Sequence, residues 1–276
     1  MLDVRSVALL AGVSLLGSAC GSAEPELLSE EQVQDVSFEE FLATAYDEPD
    51  SDVYVVNGDE AVQGLAGLRE YFQKRVGGGG APGTSEGALT AQCSGGVYNK
   101  WSASAARGLT YCVSNTFGAN KSRVITAMAT ATAAWEAAAN VNYTYLSQYD
   151  GDCTAAQAGV VFDVRPTTNT SYLARAFFPN ATRSGRNILI STSALGTIAP
   201  YTLAGLLRHE LGHTLGFVHE YVRVSTSGCY DSSTGACPLT AYDPASVMHY
   251  PQCGGTNTGD FSLSMLDQQG ARAYYP

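Results

Sequence analysis

The run His209-Glu210-Leu211-Gly212-His213-Thr214-Leu215-Gly216-Phe217-Val218-His219 constrains this chain more than any other stretch. With residues 203–215 helical, His209 and His213 stand four positions apart and stack on one face, so both imidazoles reach a common point. Glu210 lies between them. Gly216 accepts the positive φ that ends a helix and turns the chain, and that turn brings His219 round as a third nitrogen donor. Three imidazoles leave one position of a tetrahedral zinc ion open, which catalytic zinc requires and structural zinc avoids. The plainer alternative is an amphipathic helix that happens to carry histidines.

Extended through Glu220 and joined by Ser246-Val247-Met248-His249-Tyr250, the same run resembles the metzincin zinc metalloproteases, and among them the astacins. The resemblance implies an α+β fold of the zincin type. Its parts are a mixed five-stranded twisted sheet, two long helices above a zinc cleft, and an irregular lower half ending in a C-terminal helix. It implies one Zn2+ on His209, His213 and His219, with Glu210 as general base. Met248 becomes the residue of a methionine turn beneath the metal, and Tyr250 a metal-side tyrosine that donates to a developing oxyanion. Plain core filling and a buried tyrosine bonded to a carbonyl are the alternatives for these two. In astacins the glutamate matching Glu220 binds the N-terminus released on activation; the alternative is a surface carboxylate on a turn. Arg223 fits the astacin pattern, but Val224, Ser225 and Thr226 depart from it, and the segment from His219 to Met248 is short. A neighbouring bacterial metzincin family fits equally well. His249 is read as structural, since three histidines suffice.

The net charge of -11 is unevenly spread. Residues 24–60 hold 13 of the 26 acidic side chains and no Lys or Arg, so the remainder is slightly basic. The acidity therefore belongs to an N-terminal segment. No basic cluster supports nucleic-acid binding. Arg5 precedes an apolar run, Val7 to Leu16, too short to span a bilayer but suited to a signal peptide. Gly17-Ser18-Ala19-Cys20 resembles a lipoprotein cleavage box, with cleavage after Ala23 as the competing reading. Export as a secreted or cell-envelope protein follows, with a membrane contact only through a lipid on Cys20. Of the seven cysteines, the six beyond Cys20 suit up to three disulfides in an oxidising compartment. Cys229 and Cys237 are close enough to staple one loop.

Four regions are expected: a signal peptide over 1–20, an acidic propeptide over 21–76, a glycine-rich linker over 77–88, and a catalytic domain over 89–276. In the propeptide, residues 37–42 suggest a short helix, Val53 to Val56 a strand and Leu65 to Val76 a second helix. Asn57-Gly58-Asp59 has two readings. Asn-Gly is a common hairpin turn, while astacin propeptides carry a Gly-Asp pair whose aspartate caps the zinc, which makes Asp59 a latency ligand. Arg69, Lys74 and Arg75 mark a candidate activating cut.

Beyond Val97 the pattern becomes regular: a strand at 109–113, a helix at 121–139 with Val124, Met128, Ala131 and Trp135 on one face, and strands at 141–146, 160–164, 172–178 and 187–191. The strand at 172–178 occupies the position of the metzincin edge strand, which takes up extended peptides. Ser264 and Asp267 form a capping box before a last helix. An exported endopeptidase made as a zymogen and acting on proteins or peptides is the leading expectation. A zinc-stabilised binding module and a zinc hydrolase of cell-wall amides are the alternatives, and retention of Glu210 argues against the module. Oligomeric state is not legible.

Overall fold

A computed structural model describes residues 37–49, 51–75, 89–223, 229, 236–257 and 259–276. The expected signal segment, Cys20, the start of the acidic segment and the glycine linker lie outside the described residues.

Ser37 opens the N-terminal layer by capping α1 (Phe38–Thr44) in a reciprocal box with Glu40. After β1 (Tyr46–Asp47) comes a hairpin of β2 (Val53–Val56) and β3 (Glu60–Gln63), and then α2 (Gly64–Arg75). Phe38, Phe41, Val56, Leu68 and Tyr71 form a small core between these elements. Arg69 lies 4.0 Å over the Phe38 ring.

The body follows: β4 (Thr90–Ser94), β5 (Val97–Tyr98), α3 (Ala103–Ala106), β6 (Leu109–Val113), α4 (Lys121–Ala138), β7 (Tyr143–Tyr145), β8 (Phe162–Thr167), β9 (Ala174–Phe177), β10 (Asn187–Ser191), α5 (Leu203–Thr214), β11 (Phe217–Val218), β12 (Ala236–Pro238) and α6 (Met265–Tyr274). Among the described residues the main sheet has the order β1-β2-β3-β9-β10-β8-β6-β7. The body supplies five of these strands, parallel except for β9, which runs antiparallel to β10. Helices α4 and α5 pack on one face. Trp135, Met128, Ala131, Leu207 and Leu211 meet Phe162, Ile188, Ile190, Ala174 and Ala176 there.

Three differences from the sequence reading have physical causes. First, β9 is not an edge: β3 pairs with it in parallel, Glu60 beside Ala176 and Ala61 beside Phe177, and Ala176 N–H donates to the Asp59 carbonyl over 3.1 Å. The N-terminal layer thus satisfies a row of peptide groups that would otherwise be unpaired. Second, β8 runs on through Pro166. β6 covers it only as far as Val164, so the missing N–H has no partner strand to disappoint. Third, Cys229 and Cys237 do not pair. β12 lies on β4, which joins Cys237 to Cys93, and Cys229 bonds Cys253 instead; Cys112–Cys153 is the third disulfide. Three disulfides suit an extracellular or secreted protein. No helix among the described residues is long and apolar enough to cross a membrane.

On the sheet face away from α4 and α5, the layer is held by Val53, Val55, Ala61, Tyr172 and Leu189. It is also held by a buried ion pair, Arg175 Nη2 to Glu48 Oε2 at 2.5 Å. Tyr172 donates to the same carboxylate, and Arg175 donates to Asn187 Oδ1 over 2.7 Å. Burial opposes ionisation of Glu48, but the hydrogen bond and charge of Arg175 outweigh it and hold the carboxyl below its usual value. The contribution of Glu48 to docking is therefore complete above the unfolded carboxylate pKa of about 4.3 and is lost as pH falls through the lower folded value. Removing one partner of a buried pair costs about 3 kcal/mol or more. Glu48→Gln should therefore strip amide-exchange protection from β1–β3 at neutral pH while α4 keeps its own, and unchanged protection would show that the pair does not hold the layer.

Candidate metal centre

Thr202 starts α5 by accepting from Gly205 N–H over 2.9 Å, and the helix carries His209 and His213 on one face. Gly216, at φ +98°, stops it; a Cβ there would overlap the Asn99 carbonyl oxygen. The returning chain pairs briefly with β4 as β11, and His219 follows. All three histidines are buried.

Each ring is fixed through its Nδ1. His209 meets the Val247 carbonyl at 2.7 Å, His213 the Phe217 carbonyl at 2.9 Å and His219 the Tyr221 hydroxyl at 3.0 Å. Donation from Nδ1 in every case leaves the three Nε2 atoms with bare lone pairs, the tautomer a metal ligand needs. They converge: His209 Nε2 and His219 Nε2 are 3.2 Å apart. A single proton can join only one such pair.

The fourth side of the cluster comes from the N-terminal layer. Asn57, Gly58 and Asp59 form the hairpin turn, Asn57 and Gly58 at positive φ. Asp59 at its tip places Oδ2 at 3.1 Å from His209 Nε2, and Oδ1 at 3.3 Å from His213 Nε2 and 3.2 Å from His219 Nε2. The tripeptide is a hairpin turn that sets Asp59 against the three histidines. Burial would raise the Asp59 pKa; in the absence of an ion, protons shared with His219, His213 and His209 would outweigh it and hold the carboxyl well below the carboxylate range, and a bound cation would take over that positive charge.

Four donor atoms, three nitrogens and a carboxylate oxygen, lie within 4.8 Å of one another. Donors about 2.0–2.1 Å from a tetrahedral ion stand roughly 3.3 Å apart; the separations from Asp59 Oδ2 to His209, from Asp59 Oδ1 to His213 and His219, and between His209 and His219, 3.1 to 3.3 Å, are of that size. His213 Nε2 and Asp59 Oδ1 are buried without a hydrogen-bond partner, as lone pairs aimed at a cation are. The residues fit a metal ion.

Glu210, fully buried, has no hydrogen-bond partner on either carboxylate oxygen among the described residues. Burial and the nearby charge of Asp59 push its pKa well above the ordinary value, with Arg175 opposing. Tyr250 stacks on the His209 ring at 5.2 Å and donates to Asp59 Oδ2. Met248, fully buried, lies against Gly212, where a Cβ would overlap its sulfur. This close approach accounts for glycine at that helical position. The Met248 carbonyl accepts from Glu220 N–H over 2.9 Å.

Glu220 is not a surface carboxylate. It accepts from Thr90 Oγ1 at 2.8 Å, Arg223 Nη1 at 2.8 Å and Asp243 N–H at 3.2 Å, because β4 and the 243–246 turn close over it. Burial raises its pKa to about 7, the bonds to Arg223, Thr90 and Asp243 opposing. His249 Nε2 contacts the Tyr242 hydroxyl at 2.8 Å and stays outside the cluster.

Three residues at the centre are absent from the sequence reading of the site. Asp267, read only as a helix cap, also accepts from Ser246 Oγ at 2.6 Å and Val247 N–H at 2.7 Å, clamping the turn that supplies the His209 partner. Glu60 accepts from the Tyr71 hydroxyl at 2.8 Å and from Asn57 Nδ2 at 3.1 Å, bracing the hairpin tip. Tyr221 orients His219. Only Asp267 had a local signal, its spacing from Ser264.

No protein-family model matches the chain, and no curated protein is similar to it in sequence. Among solved structures, two of myroilysin superpose with TM-scores of 0.43 and 0.44 at 17% and 19% identity. Each covers 64% of this chain, which spans 96% and 86% of theirs. A superposition that loose assigns no family.

Asp267→Ala would leave Val247 N–H and Ser246 Oγ without their buried acceptor, at a cost of about 2–4 kcal/mol. The expected result is a lower melting temperature together with weaker metal retention against a chelator. Loss of stability without any change in retention would separate α6 from the centre.

Proposed function

We propose that the chain is an exported zinc-dependent endopeptidase of metzincin type, astacin-like, held latent by its own N-terminal layer. The observation that carries this reading is the convergence of three bare Nε2 atoms beside a buried, unpartnered Glu210 carboxylate. A structural metal site has no use for such a carboxylate, whereas hydrolysis needs one to accept a proton.

His209, His213 and His219 would hold the ion. When bound, zinc acts as a Lewis acid on a carbonyl and makes a water a nucleophile near neutral pH. Glu210, kept from other partners, takes the proton of the attacking water and delivers it to the leaving amine. Tyr250, once its hydroxyl is released from Asp59, donates to the oxygen that gains negative charge. Extended peptide groups of the substrate pair along β9, the strand that β3 now covers.

Asp59 would account for latency. It fills the fourth side of the cluster, engages the Tyr250 hydroxyl, and belongs to the hairpin that blocks β9. Cutting between α2 and β4 would free this layer. Glu220 grips Thr90, close to the chain end such a cut would create, which supports a role in ordering that end. The cysteine pairing and the apolar run at the N-terminus support export, to the medium or to a lipid-anchored site through Cys20.

In chain matured by limited proteolysis, Glu210→Gln should keep its zinc and cleave a protein substrate about 10²–10⁴-fold more slowly. Equal cleavage at full zinc content would remove Glu210 from the mechanism. Asp59→Ala should make the uncut chain active, whereas an uncut variant as silent as its parent would leave latency to strand blockage alone.

A further inference from the structure

Resting on the metal-site reading above, we infer that Tyr221 is the positioning residue of the third imidazole, and that its hydroxyl sets how tightly the centre holds its metal. The three histidines are not fixed alike. His209 and His213 give their Nδ1 protons to main-chain carbonyls, Val247 and Phe217. His219 stands beyond the end of α5, and the side chain of Tyr221 serves instead, at 3.0 Å.

The geometry assigns the direction of that bond. The Tyr221 hydroxyl lies 3.4 Å from the Asn57 carbonyl, an acceptor only, so it donates there and accepts from His219 Nδ1. Nδ1 then carries the proton, and Nε2 is the bare nitrogen facing Asp59, 3.2 Å away. Reversal would put the proton on Nε2 and remove the third donor. Position is fixed as well as tautomer: the Tyr221 ring stacks on His219 at 4.9 Å and 14°, and on Tyr250 at 5.6 Å. The residue before it, Glu220, is anchored to Thr90, Arg223 and the Asp243 amide, so the Tyr221 main chain has a fixed origin.

Partners of this kind behind a metal-ligating histidine typically change metal affinity 10–100-fold when removed. Tyr221→Phe deletes one oxygen and keeps the ring. The full chain and this variant should be loaded with zinc and titrated against a competing chelator. Their Nδ1–H protons should be followed by NMR, and their metal-free forms melted in excess chelator. The expected result is affinity lowered tenfold or more, accelerated exchange of one of the three ligand Nδ1–H signals, and an unchanged metal-free melting temperature. Equal affinity with all three signals retained overturns the inference and leaves the metal site standing. So does a loss of affinity matched by a lower metal-free melting temperature, which would mark a packing role only. A wild-type chain that takes up no zinc overturns the site and this inference together.

Discussion

Three imidazole nitrogens turned toward one small space, two of them 3.2 Å apart, repel unless something positive lies between them, and the fold around α5 maintains that arrangement. Helical period supplies the first two imidazoles, and the left-handed residue Gly216 supplies the third. The partners behind the rings come from different places: the 246–249 turn, the first residue of β11, and a tyrosine past the last ligand. Each partner has its own brace. Asp267 clamps the turn, β4 pairs with β11, and Glu220 holds the segment leading to Tyr221. Much of the irregular chain after α5 consists of these braces. Helix α5 carries two of the ligands, and the third follows β11 in irregular chain.

The ease of reading the centre from sequence follows the range of the interactions. Local periodicity shows His209 and His213 on one face, and the Gly216 turn shows where His219 goes. Strands β6 and β10 and helix α4 fall where their apolar patterns place them, within a residue. β3 does not. Glu60 to Gln63 has no apolar alternation of its own; it is held as a strand by β2 across the Asn57-Gly58 hairpin and, at Glu60 and Ala61, by β9 more than a hundred residues away. The disulfides escape for the same reason: Cys93 and Cys237 meet only because β12 returns to β4, and nothing near Cys229 in the sequence announces that. Tyr221 and Asp267 are ordinary residues locally, and their importance comes from what stands opposite.

The N-terminal layer does two physical jobs with one hairpin. Its second strand, β3, pairs with β9 and satisfies a row of peptide groups there, and its turn delivers a carboxylate to the cluster. The jobs are linked by geometry, since the pairing of Glu60 with Ala176 is what sets Asp59 beside the histidines. A shift of that register by one residue would turn the neighbouring side chains to the opposite face. Glu48 and Arg175 help prevent it from the far side of the sheet, where a buried pair tolerates little displacement.

No cysteine lies between residues 21 and 92, so none of the three cross-links reaches this layer. Apart from the backbone running on into β4, hydrogen bonds, ion pairs and apolar contacts alone keep it in place. An intact chain presents the layer to its own body at the effective concentration of a short tether, on the order of millimolar. Severing the chain between 75 and 89 exchanges that figure for the actual protein concentration. If the proposed activating cut falls there, dilution alone would part the layer from the body.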